Sequence, residues 1–244
     1  CRSARRSPRP RVGSRVMSAG RTLAEWLSYQ QALHPQSIDL GLERVRVVAD
    51  RLGLRPPAGR VAVVGGTNGK GSTAALLAAL VQAHGARTGL FTSPHLLRYH
   101  ERVRVDGAEP DDAQLCAAFG QIEAARGAES LTYFEFNTLA ALLLFRASAV
   151  EVSVLEVGLG GRLDATNIID ADVSVLCSVG LDHRDWLGDT LEQIGVEKAG
   201  IFRAGRAAIL GNAGMPATVG SALDALGVRP LVAGEDFRWQ VHAG

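Results

Sequence analysis

The sequence predicts an α/β protein in which a mostly parallel sheet is flanked by helices and the first strand of the repeating pattern feeds a phosphate-binding loop. Three observations carry that expectation. From Val61 onward, short apolar runs alternate with longer amphipathic segments, the rhythm of strand–helix–strand crossover units. The first run, "VAVVG", opens into a turn that places Gly65, Gly66, Gly69 and Gly71 around Lys70. The residues with anion- or metal-binding chemistry fall at the ends of the apolar runs, where open parallel sheets gather their ligands.

In chain order, Thr22 and Glu25 have capping-box spacing, and Leu23, Trp26, Leu27 and Leu33 form an apolar stripe. A first helix to about Leu33 follows from them. Asp39 stands before "LGLERVRVVADRLGL", read as a second helix that ends ahead of Pro56 and Pro57. Strands are expected at 61–65, 88–92, 152–158, 173–180 and 207–211, and helices at 72–84, 111–126, 134–148, 190–201 and 216–226. "RVRVDG" at 102–107 alternates polar and apolar, as an edge excursion does. After residue 16 there is no internal repeat or low-complexity stretch.

Composition narrows the class. The 244 residues are 47% hydrophobic and 21% charged, enough to bury a sizeable core. No apolar run is long enough to span a bilayer: the Ala74–Val81 stretch is broken at Gln82 and His84. Cys1, Cys116 and Cys177 are widely spaced, which fits neither a disulfide framework nor a structural zinc site and suggests a reducing, cytoplasmic setting. The net charge of +1 hides six arginines in residues 1–16 (Arg2, Arg5, Arg6, Arg9, Arg11 and Arg15) with no acid among them. That leader reads as a disordered tail or a start-site artefact ahead of Met17, with a nucleic-acid arm as the alternative.

The turn after the first strand is read as a nucleotide phosphate loop. Small residues let successive N–H groups face an anion at a helix N-terminus, and Lys70 can reach the outer phosphates. The eight-residue pattern G-x-x-x-x-G-K-[ST] is not met, because Val64 and Gly71 occupy its first and last positions; a shorter variant is present. A triphosphate normally arrives with Mg²⁺, which takes oxygen ligands. Glu156, at the end of the apolar run "VSVLEVG", would be costly to bury charged unless paired or bound to a cation; a strand-end glutamate that simply meets water is the alternative. Ser93 in "FTSPHL" and Asp182 or His183 in "GLDHRDW" stand at other strand ends. Softness favours Asp182 over His183 for Mg²⁺, and spacing does not decide between them.

These residues lie in six motifs that come in order: "GTNGKGST", "TSPHLLRYHERVRVDG", "TYFEFNTLAALLLF", "LEVGLGGRLDATNIID", "GLDHRDWLG" and "EKAGIFR". From about Leu23 to Leu210 the chain resembles the bacterial bifunctional dihydrofolate synthase/folylpolyglutamate synthase family of the Mur ligase superfamily. The resemblance implies the central, ATP-binding Mur-ligase domain over residues 17–235 and an ATP-dependent amide ligase. In that chemistry a pterin-bearing carboxylate takes the γ-phosphate to form an acyl phosphate, and the amine of L-glutamate displaces phosphate. The small-molecule partners would be ATP, dihydropteroate, tetrahydrofolate and L-glutamate, with no nucleic acid or membrane and a monomeric state.

By matching position, the resemblance assigns Thr67, Asn68, Gly69, Lys70, Gly71 and Ser72 to the ATP phosphates. It assigns Ser93, Glu156 and His183 to Mg²⁺, against the preference for Asp182. Lys198 falls on the family's carbamylated lysine, which helps place a second Mg²⁺; by itself a helical lysine is usually exposed and solvated. Lys70, His183 and Lys198 would be the catalytic group. The pteroate pocket takes Ala32, Leu33, His34 and Pro35 with Asp39 nearby, then Thr132, Tyr133, Phe134 and Glu135, and Leu163, Asp164 and Ala165. Read alone, Tyr133 and Phe134 could be core aromatics, and Arg162 could pair with Asp164 across a tight loop. Asn137 stands where the family has a small residue and could tighten the pteroate wall. The family also has a second, Rossmann-like domain, so residues 236–244 are expected to begin a truncated remainder, and this piece is expected to be inactive alone. Competing readings are a UDP-muramoyl peptide ligase, and a GTPase-like switch for which no N-K-x-D string is found.

Overall fold

The computed structural model describes residues 20–55, 57 and 59–238. The arginine-rich leader, and residues 239–244 of the expected remainder, lie outside them. Helix α1 (Leu23–Leu33) starts with the capping box read from the sequence: Glu25 N–H donates to Thr22 Oγ1 at 3.3 Å, and Thr22 N–H to Glu25 Oε2 at 2.7 Å. Helix α2 (Glu43–Arg51) is shorter than the stretch expected, and Leu42 rather than Asp39 is its N-cap, with no side-chain cap bond. Asp39 is engaged elsewhere: Arg44 Nη1 donates to its Oδ2 at 2.6 Å, and His34 Nε2 lies 3.1 Å from the same oxygen.

Among the described residues seven strands form one sheet: β1 (Arg60–Gly65), β2 (Thr88–Phe91), β3 (Val103–Val105), β4 (Val152–Glu156), β5 (Val173–Leu176), β6 (Ala207–Leu210) and β7 (Leu231–Val232). Their order is β3-β2-β4-β1-β5-β6-β7. Of these seven, β3 alone runs antiparallel, on β2, which is the edge excursion expected at 102–107. The two-residue β7 was not foreseen. Helices α3 (Lys70–Ala83), α4 (Asp112–Arg126), α5 (Tyr133–Ala147), α7 (Leu191–Ala199) and α8 (Ala217–Ala225) meet their expectations, and a single turn, α6 (Arg184–Leu187), was missed.

Strand residues alternate between two cores, as a period of two requires. Val61, Val63, Leu155, Leu176 and Leu210 face the larger core, with Trp26, Phe119 and Phe136. Ala62, Val64, Val154 and Val175 face the smaller one, against Ala74 and Ala78 of α3. Helix α5 is buried from Glu135 to Phe145, which is why its sequence is apolar almost all round. The β1-to-β2 connection runs toward the β3 edge, whereas the connections from β4, β5 and β6 run toward β7. Right-handed crossovers therefore put α3 on one face and the later helices on the other. Because β1 and its neighbours send their chains opposite ways, a crevice opens at their carboxyl ends. None of the described helices is long and apolar enough to cross a membrane.

Candidate functional site

The glycine-rich turn sits at the carboxyl end of β1. Gly66 and Gly69 have φ of 144° and 84°, conformations that favour glycine. A Cβ at Gly66 would also stand 3.1 Å from Cys177 Cβ and Ser178 N. Gly69 is the N-cap, so α3 begins at Lys70, earlier than the start around Ser72 read from the sequence. The N–H groups of the first turn, Lys70 to Ser72, have no acceptor within the helix and carry its positive end. Lys70 Nζ folds back onto Gly66 O and Thr67 O at 3.0 and 3.2 Å. Thr67 Oγ1 donates to Gly180 O and accepts from Gly180 N–H, at 3.2 and 2.9 Å. Ser178 Oγ likewise accepts from Asn68 N–H and donates to Asn68 O, each at 3.0 Å. These four bonds tie the turn to the segment after β5.

Glu156 ends β4 two residues beyond Val154 and so shares the α3 side of the sheet. Its Oε1 lies 3.4 Å from where a Cβ on Gly71 would be, and its Oε2 accepts from Ser93 N–H at 2.9 Å. The acidic strand tip and the lysine-bearing turn are thus on one side, with Ser93 beside them. Burial pushes the Glu156 carboxyl up, opposed by the Ser93 N–H and by the charge of Lys70. His183, with φ of 50°, caps α6. It lines the central cavity, and Asp182 does not; Asp182 Oδ1 accepts from His183 N–H at 2.8 Å. Lys198 is not a solvated helical lysine. It is 4% exposed, and its Nζ donates to Gly66 O at 3.1 Å. Burial first, and then the nearby charge of Lys70, bring its pKa down to about 8. Among the described residues no three His, Cys, Asp or Glu side chains form a metal cage. A cation here would need phosphate or water among its ligands, the habit of Mg²⁺, and the buried Glu156 carboxyl with Ser93 Oγ supplies oxygen donors that fit it.

A cavity of about 410 Å³ runs from Lys70, Ser93 and His183 to the start of α5. Thr132, Tyr133, Phe134 and Glu135 form one wall, and Leu163, Asp164 and Ala165 another. Tyr133 and Phe134 are half-buried and face this space rather than sitting wholly in the core. A Cβ on Gly158 would come 2.6 Å from the Phe134 ring, so glycine lets that ring lie against the β4 loop. Thr132 caps α5 in a box with Glu135, whose Oε1 accepts from Arg44 Nη2 at 3.2 Å. Arg44 thereby clamps Asp39 to Glu135. Asp164 is buried and accepts from Gly158 N–H, Leu159 N–H and Thr166 N–H, each at 2.9 Å. It does not pair with Arg162, which reaches Glu197 at 2.8 Å instead.

Residues 37–41 also line the cavity; Ala32, Leu33, His34 and Pro35 precede them in the chain and are not among its lining residues, and His34 stands behind Asp39, between it and Ser130. Asn137 is buried below the wall, where its Oδ1 accepts from Tyr99 OH at 2.6 Å. The sequence reading missed Arg102, a buried residue that lines the cavity with its guanidinium 5.5 Å from the Tyr133 ring and no carboxylate partner among the described residues. Its alternating edge-strand pattern carried no sign of that.

A profile of the Mur ligase middle domain matches residues 64–217. The chain belongs to the Mur ligase family. Among the family's curated members it is 56% identical over 205 residues to the dihydrofolate synthase/folylpolyglutamate synthase of Escherichia coli (strain K12), a match covering 84% of this chain and 49% of that protein. The structure of E. coli FolC in complex with DHPP and ADP superposes with a TM-score of 0.89 at 52% identity, over 92% of this chain and 54% of that one. The Yersinia pestis bifunctional folylpolyglutamate synthase/dihydrofolate synthase with AMPPNP and Mn ion gives 0.86 at 50% identity, over 91% and 54%. The chain spans about half the length of the curated relatives it matches.

Proposed function

We propose that this chain is the nucleotide-binding half of an ATP-dependent amide ligase that adds L-glutamate to dihydropteroate and to reduced folates. The observation that carries the reading is the single cavity joining a phosphate loop to an aromatic-walled slot: Lys70 and Ser93 at one end, Tyr133, Phe134 and Asp164 at the other. A flat bicyclic pterin suits the slot, whose loop is held in place by Asp164, while the aryl carboxylate extends toward the phosphates. The relatives' complexes with DHPP, ADP and AMPPNP support it.

In the proposed reaction a carboxylate oxygen attacks the γ-phosphorus and ADP leaves. The glutamate nitrogen then attacks the acyl carbon, phosphate leaves, and the amine loses a proton. The turn amides and Lys70 hold the polyphosphate, and Arg102 offers a cation to a carboxylate in the cavity. Ser93, Glu156 and His183 would hold Mg²⁺, which when bound offsets charge on the transferring phosphate. Lys198 is the proposed carbamate carrier. Its lowered pKa raises the share of neutral amine over that of an exposed lysine, the form that adds CO₂ at nitrogen with loss of a proton; the carbamate would then be an oxygen ligand for a second Mg²⁺.

The test joins this chain to the second half of the E. coli relative and follows phosphate release. Release that requires both dihydropteroate and L-glutamate is expected; release that ignores either one, or a preference for a UDP-sugar peptide, contradicts the proposal.

A further inference from the structure

Asn137 is a polar side chain in a place where packing asks for an apolar one. It sits in α5 within the run buried from Glu135 to Phe145 and is wholly enclosed. Its Oδ1 accepts from Tyr99 OH at 2.6 Å, but its Nδ2 makes no hydrogen bond among the described residues. A buried donor left unpaired weighs against the fold. Packing alone therefore does not explain this amide. Tyr133 stands four residues earlier, on the same face of the helix. Burial pushes the Tyr133 hydroxyl up, opposed by the charge of Arg102 and then by the Asn137 amide.

From Asn137 a series of contacts leads to the cavity. Burial pushes the Tyr99 hydroxyl up, so it keeps its proton and donates. The Tyr99 ring stands edge-on to Tyr133, with centroids 6.4 Å apart, and edge-on to His95, at 6.3 Å. Those two residues hold Arg102: its guanidinium lies 5.5 Å from the Tyr133 ring, and its Nε donates to His95 Nδ1 at 2.8 Å. Among the described residues that is the one hydrogen bond of its side chain, so both Nη groups remain for a ligand. Arg102 is 8% exposed and lines the cavity. An enclosed guanidinium with a free fork suits a carboxylate, which it can meet with two parallel hydrogen bonds.

We propose that Asn137 is a positioning residue for acid recognition: by fixing Tyr99 it sets the two rings that aim Arg102, and Arg102 takes the carboxylate of an aryl acid in the cavity. Asn137 itself is not among the residues that line that space. Aim matters because hydrogen bonds weaken steeply away from linearity. The identity of the acid rests on the ligase reading; the route from Asn137 to Arg102 does not.

The test follows binding to this chain by calorimetry, with Mg-ADP present. The probes are pteroate, the oxidised form of the proposed acid, and 6-hydroxymethylpterin, which carries a pterin ring and no carboxylate. Asn137→Leu, close in size but without polar atoms, and Tyr99→Phe, which loses the hydroxyl alone, should each weaken pteroate binding by about tenfold. The affinities for ADP and hydroxymethylpterin should stay within about twofold, since neither ligand offers that carboxylate. The two substitutions together should do no more than one, and neither should matter beside Arg102→Gln, because both act through that guanidinium. Should the Leu variant not fold, Tyr99→Phe carries the test. Unchanged pteroate affinity in Tyr99→Phe, equal losses for all three ligands, or losses that persist beside Arg102→Gln overturn the proposal and leave the ligase reading standing. A parent chain that binds no pteroate also overturns it, and phosphate release by the fusion to the second half of the E. coli relative then decides the ligase reading separately.

Discussion

Two ammonium groups share one carbonyl. Lys70 and Lys198 both donate to Gly66 O, and neither interaction would be preferred over a polyphosphate by a side chain free to turn toward it. Lys70 is the freer, being half-buried at the cavity edge. Lys70→Ala in the fusion is expected to reduce phosphate release by about 10²–10³-fold, the effect of removing one preorganised donor. A loss below about fivefold would show that the lysine does not face the transferring group.

Glu156 makes a different kind of prediction at the same scale. Its folded pKa lies above the ordinary 4.5 because of burial, so the folded state holds that proton more tightly than the unfolded chain. The stability this contributes is complete below pH 4.5 and is lost as pH rises through the raised folded value. Glu156→Gln removes that slope. With no nucleotide present, the variant should melt no lower than the parent at pH 7 and should vary less with pH above 4.5; Asp164, also raised by burial, keeps a residual slope in both. Titration of ADP with and without Mg²⁺ supplies the second readout, and metal dependence is expected to disappear in the variant.

Among the elements, the start of α5 carries the most. The Thr132 and Glu135 box satisfies orphan N–H groups, and Glu135 receives Arg44, which also holds Asp39. Thr132→Ala should therefore cost about 1–2 kcal/mol in urea unfolding, and should weaken dihydropteroate binding more than ADP binding, because the displaced wall belongs to the slot. An equal loss for both ligands would mean that the box serves stability alone. The helix was legible in advance from its apolar run, expected at 134–148, but its Thr132–Glu135 cap was not singled out, although Thr and Glu at that spacing are a local pattern. Helix α6 and strand β7 were not legible, since one turn and two residues contain no period to read. Asp39 misled for a related reason: an acid before a helix can cap it or serve a distant arginine, and only the tertiary contact decides.

For the molecule as a whole, the turn and strand tip meet at the switch point of the sheet, so ligand binding should be felt by the entire domain. Mg-ADP at about 100 times its Kd should add roughly 2.7 kcal/mol, a rise of about 5–10 °C in Tm for a chain of this size. A shift below about 1 °C at saturation would place the nucleotide elsewhere. At this scale the fold was readable because alternating apolar runs fix strands, helices and handedness together. The lysine-bearing turn and Glu156 were readable because each breaks a local rule, glycines where a helix should start and an acid inside an apolar run. Arg44, Arg102 and Ser178 were not: Ser178 meets Asn68 across 110 residues of sequence, and no local pattern marks such a pair.

That last pair has an evolutionary corollary. Since the hydroxyl of Ser178 grips the peptide of Asn68 from both sides while Thr67 grips Gly180, the two loops are one mechanical part encoded in two places. Transplanting either from a distant homologue without its counterpart would give a mismatched joint, and the two stretches should be inherited as a set.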